Sequence, residues 1–143
     1  MHRYRKILVA LDLSEASARV AGTARELAAG ADAAIIALHI VDFVPVEPMG
    51  ETLLPSVAIQ ADLAASAHER LTTLVRGAGL ADAQVRVEVG NTKAQILRIA
   101  VEENVDLIVV GSRERHGLAV LVNFTEDTLL HAAPCDLLAV RVR

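Results

Sequence analysis

The 143-residue chain has only one cysteine, Cys135, which excludes an internal disulfide and any cysteine-rich metal centre. Tryptophan is missing and aromatics are 2% of the sequence, so no platform of stacking rings for single-stranded nucleic acid can be built. Lysine is confined to Lys6 and Lys93, and the formal net charge is -4. A phosphate-backbone binder needs a basic face, so nucleic acid is not an expected partner. No apolar run approaches the length that spans a bilayer. The basic start Met1-His2-Arg3-Tyr4-Arg5-Lys6 leads into an apolar stretch that stops at Asp12, too short for a secretory leader. These absences predict a cytoplasmic protein with no membrane partner.

Catalytic signatures are missing as well. There is no Gly-x-Ser-x-Gly elbow, no Gly-Lys-Ser/Thr phosphate loop and no zinc motif. His68, His116 and His131 have no metal-ligand spacing to one another or to the carboxylates. A phosphoacceptor receiver needs Asp after its third strand and Lys after its fifth. Gly90 and Arg141 or Val142 stand there instead. His39, among apolar neighbours, reads as a satisfied strand histidine, and His131 as a helix-end residue. Cys135 reads as a small buried hydrophobe.

What the chain does have is aliphatic residues: the hydrophobic share is 53%. Continuous apolar runs at 7–11, 33–38, 107–110 and 137–140 read as strands buried on both faces. Val85-Arg86-Val87-Glu88-Val89 alternates and reads as an edge strand. Helical patterns lie between them. The first has Ser14 as N-cap and Gly30 as its stop; the second carries Leu63, Ala67, Leu71, Leu74, Val75 and Ala78, closed by Gly79. A third opens at Thr92. A fourth has Thr125-Glu126-Asp127 as its cap and acidic first turn. Residues 43–56, with three prolines, read as a mobile loop. The alternation predicts one α/β domain, 1–143, with a doubly wound, mainly parallel sheet.

In such sheets ligands bind beyond the carboxyl ends of strands, at the switch in strand order. Asp12 follows the first strand and Gly111 ends the fourth. On the residues alone, Asp12 serves equally as a turn residue, and Gly111 as a turn glycine or a backbone cradle for phosphate.

Four stretches together resemble the universal stress protein family: Lys6 to Ser14, Leu38 to Asp42, Asn104 to Ser112, and Ala133 to Arg141. The resemblance covers nearly the whole chain. It implies a Rossmann-like, adenine-nucleotide α-hydrolase-like fold with sheet order 3-2-1-4-5 and helices on both faces, a homodimer, and a stress-response role as a regulator or binding module acting on an unknown protein partner. Members that bind ATP resemble Gly-x2-Gly-x8/9-Gly-Ser/Thr after the fourth strand, with Asp after the first. Here the resemblance assigns Asp12, Ile40 or Val41, Gly111, Arg113, Gly117 and Thr125 as candidate nucleotide contacts. Glu114 occupies the second glycine position, Asn123 the third and Phe124 the hydroxyl position. A like charge at about 5 Å from phosphate costs roughly 1–3 kcal/mol. The expectation is therefore no tightly bound cofactor, with ATP or AMP as the alternative, and no enzymatic activity. In the implied order, strands three and five are edges. Arg86 and Glu88 blunt the third, whereas Leu137-Leu138-Ala139-Val140 is apolar on both faces, which predicts self-pairing through the fifth.

Overall fold

The computed structural model describes residues 4–42, 53–113 and 131–142. Eight elements follow one another: β1 (Lys6–Ala10), α1 (Ser17–Ala31), β2 (Ala34–Val41), α2 (Leu53–Gly77), β3 (Gln84–Val89), α3 (Thr92–Glu102), β4 (Leu107–Arg113) and β5 (Asp136–Val142). The five strands form one sheet in the order β3-β2-β1-β4-β5, and every pairing is parallel. The expected start of a fourth helix at Thr125 lies outside the described residues; His131 and Ala132 have helical backbone.

The aliphatic runs of β1, β2 and β4 are strands because both of their faces are covered; the run 137–140 departs from the expectation of burial on both faces, since only Val140 of it is buried in β5, at the margin of the sheet. Ile7, Val9, Ala37 and Val109 pack with Val20, Ala21 and Ala24 of α1 and Leu71 and Val75 of α2. Their neighbours in the pleat, Leu8, Ile36, Leu38 and Ile108, pack on the other side with Ile96, Ile99 and Ala100 of α3. Alternation across a strand therefore divides each uniform run between two cores. The alanines of α1 let that helix lie close to the sheet.

Helix ends depart from the sequence reading in three ways. Helix α1 begins at Ser17, with Ala16 as N-cap and no side-chain cap, so Ser14 is not its cap. It runs through Gly30 and ends at Asp32 in a left-handed conformation, with Ala33 N–H donating to the Ala28 carbonyl at 3.0 Å. Helix α3 ends in the same way at Asn104, φ 52°, where Val105 N–H reaches the Ala100 carbonyl at 3.1 Å. Asp and Asn thus take the place usually given to glycine, since their short polar side chains tolerate the left-handed region. Gly79, φ 81°, does close α2, as expected. That helix starts at Leu53, well inside the segment read as a loop. Pro55 falls in its first turn, where a missing N–H costs no helical bond.

The fifth strand is longer than its apolar core and runs on to Val142, which is buried. It pairs with β4 from Asp136 to Val142 and ends the sheet, with Leu137 and Leu138 half-buried and Ala139 exposed. At the other end of the sheet, Arg86 and Glu88 of β3 join an ionic cluster with α3. Arg86 meets Glu88 at 2.6 Å and Glu103 at 3.2 Å, Arg98 meets Glu102 at 2.8 Å, and Lys6 of β1 meets Glu103 at 2.9 Å.

Candidate functional site

Parallel strands end together, and β1 and β4 lie side by side where the strand order switches direction: α1, which follows β1, packs on one face of the sheet, and α3, which leads into β4, packs on the other. The split opens a cleft of about 210 Å³ at the carboxyl ends of β1, β2 and β4. Its apolar part is made by Val20, Leu38, Ile40, Ile96, Val110 and Val142; its polar part comes from Asp12, Ser14, Ser17, His39 and Thr92, with Gly111 between them. Among these lining residues there is one carboxylate and no lysine or arginine.

Asp12 is held by the turn that follows β1. Its Oδ1 accepts the Ser14 N–H and the Ser17 hydroxyl, each at 2.9 Å. Ser17 is 1% exposed, and this bond satisfies its hydroxyl in an otherwise apolar setting. The carboxylate is thus a turn residue and a cleft residue at once. Leu11 is fixed on both sides: its N–H donates to the Leu38 carbonyl at 2.8 Å, and its carbonyl lies 2.7 Å from His39 Nδ1. A carbonyl can only accept, so Nδ1 carries the proton, and His39 is the satisfied strand histidine the sequence suggests.

Gly111 has a packing reason of its own. A Cβ there would sit 3.2 Å from Val20 Cγ2 and 3.9 Å from Val142 Cγ2, so glycine lets α1 close over β4 at the edge of the cleft. Ile40 is buried and lines the cleft. Val41 is not among the lining residues, and its carbonyl accepts the Gly90 N–H at 3.0 Å. Arg113 is the last residue of β4, paired with Val142. Glu114, Gly117, Asn123, Phe124 and Thr125 lie outside the described residues. The fold therefore brings Asp12, Ile40 and Gly111 together. Sequence reasoning missed Ser17 and Thr92 as cleft residues. Ser17 carried a faint signal, a hydroxyl five positions after a strand-end carboxylate, whereas Thr92 arrives only through the β2–β3 pairing.

Cys135 is half-buried, and burial, followed by Asp136 and Asp106, pushes its thiol pKa up, away from nucleophilic character. Among the described residues no three His, Cys, Asp or Glu side chains gather to hold a metal, and no helix is long and apolar enough to cross a membrane.

A sequence model described as the universal stress protein family matches residues 3–141. Universal stress protein A homolog 2 of Coxiella burnetii is 35% identical over 144 residues, covering 100% of this chain and 99% of its own. Among solved structures, the chain resembles universal stress protein UspA from Lactobacillus plantarum, with a TM-score of 0.82, 26% identity, and coverage of 99% of this chain and 100% of that one. It also resembles a universal stress protein solved in complex with cAMP, with a TM-score of 0.66, 24% identity, and coverage of 97% and 98%.

Proposed function

The chain belongs to the universal stress protein family, and on that premise we propose that it is a cytoplasmic, non-catalytic stress-response protein. In this reading it acts as a homodimer on a protein partner and does not depend on tightly bound ATP. The observation that carries the reading is the charge of the cleft. Its described lining contributes Asp12 and no lysine or arginine, so nothing on those walls offsets a triphosphate. The sequence beyond β4 points the same way, with Glu114, Asn123 and Phe124 where ATP-binding relatives carry two glycines and a hydroxyl. Calorimetric titration of the purified protein with ATP tests it, together with denaturation and analysis for released adenine nucleotide. No nucleotide released and no micromolar ATP binding are expected. Either signal overturns the reading.

A second reading, an AMP or ATP sensor, is favoured by one feature: an apolar cleft with a fixed carboxylate at its mouth, placed at the switch point. The neighbour crystallised with cAMP makes adenine nucleotides the first ligands to titrate.

A further inference from the structure

Leu13 is the one bulky side chain among the described residues whose backbone is left-handed, at φ 63°. Asp32 and Asn104, the other non-glycine residues there, are helix ends of a type that tolerates it. For a leucine that conformation is strained, and strain persists only where the surroundings impose it. Leu13 lies between Asp12 and Ser14, both of which line the cleft.

Bonds from both sides hold the turn, and the Ser17 hydroxyl on Asp12 Oδ1 and the Ser17 N–H on the Ser14 carbonyl add to them. From within, Asp12 Oδ1 takes the Ser14 N–H. From outside, Arg70 of α2, 57 positions away, donates from Nη2 to the Leu13 carbonyl at 3.2 Å. Arg70 is exposed on the outer side of α2, but Leu71 beside it is fully buried, so the backbone that carries the guanidinium is anchored. A rigid helix thus reaches across to the one strained peptide beside the cleft.

We infer that Arg70 is a positioning residue for the Asp12 turn: by holding the Leu13 carbonyl it sets where Asp12 and Ser14 stand at the mouth of the cleft. The inference rests on reading that cleft as a ligand site. Linkage makes the coupling reciprocal. A ligand that shifts the Asp12 turn changes the hold on Arg70, and a partner protein that engages the guanidinium releases the turn.

The test follows the Ser14 backbone amide by nitrogen-15 NMR in the full chain, since a hydrogen bond to a carboxylate gives it a distinctive resonance. Arg70→Ala shifts that resonance, Arg70→Lys restores much of it, and Arg98→Ala, which removes a cation elsewhere on the surface, leaves it in place. A Ser14 resonance indifferent to Arg70→Ala overturns the inference. A second arm titrates AMP. Binding by the unaltered chain that weakens about fivefold or more in Arg70→Ala supports the inference, and unchanged affinity overturns it. No AMP binding by the unaltered chain defeats the sensor reading of the cleft, while the Ser14 resonance still decides the role of Arg70.

Discussion

Gly111 shows how one residue can serve packing and a site together. Val20 is 3% exposed and wedged between β4 and its own helix, so it has little room to retreat from a Cβ placed 3.2 Å away. Gly111→Ala is expected to lower stability by about 1 kcal/mol, the clash outweighing the backbone entropy gained in the unfolded chain. Val20→Ala should remove that penalty, giving a favourable coupling in a double-mutant cycle measured by urea denaturation. A second expectation concerns the segment after β4. Glu114→Gly, Asn123→Gly and Phe124→Ser together should raise ATP affinity about tenfold or more, since each 1.4 kcal/mol of relieved repulsion is a factor of ten. Calorimetry on the triple variant checks this, and unchanged affinity would show that the obstacle to ATP lies elsewhere.

At the scale of elements, most of what the sequence said about strands held, because uniform aliphatic runs have few other ways to be buried. The third helix was legible for a local reason: Asn91 Oδ1 accepts the Ala94 N–H at 2.9 Å, a cap that sits in the sequence just before Thr92. The start of α1 was misread because Ser14 resembles such a cap, whereas its carbonyl closes a separate turn by accepting the Ser17 N–H at 3.0 Å and the helix begins only at Ser17. The start of α2 was misread because three prolines suggested a loop, and Pro55 is tolerated only by virtue of its place in the first turn. The ionic cluster on α3 gives a pH expectation. The hydrogen bond and charge of Lys6, with Arg86 adding to them, hold the Glu103 carboxyl below the ordinary glutamate value of 4.5. A lowered folded pKa means that this contribution is present above 4.5 and is lost as acid protonates Glu103 in the folded state. The thermal midpoint should therefore fall as pH drops from about 5 towards 3, and Glu103→Gln should flatten that slope. Equal slopes in both proteins would place the acid sensitivity on other carboxylates.

For the whole molecule, the alternation of strand and helix was enough to predict a parallel, doubly wound sheet. The order 3-2-1-4-5 was not readable from physics alone; it came from likeness to relatives, since nothing in an aliphatic run names its neighbour. The cleft was legible only in part for the same reason: Asp12 and Gly111 announce themselves at strand ends, while Thr92 and Val142 depend on pairing partners far along the chain. The expected dimer through β5 belongs to this scale. Ala139→Pro would remove a backbone donor from an exposed strand position and disfavour pairing along the strand. Light scattering at micromolar concentration should show the unaltered chain as a dimer and the variant shifted to monomer, and monomer alone in both would remove the idea.

The contrast between the two margins of the sheet has a further consequence for how assembly stops. Arg86 and Glu88 on β3 are already engaged with Arg98, Glu102 and Glu103, so another strand arriving there would have to disrupt satisfied charges. Both margins leave one row of backbone groups unpaired within the described sheet, but Leu137-Leu138-Ala139-Val140 of β5 carries no charged side chain that an arriving strand would have to disrupt. If β5 pairs with its own copy as proposed, the subunit has, in the language of polymer growth, a functionality of one. A monomer of that kind can terminate a neighbour but cannot propagate a chain, so the proposed two-fold pair would be an end product, with the charges on the opposite margin keeping an aliphatic sheet from growing into a fibre.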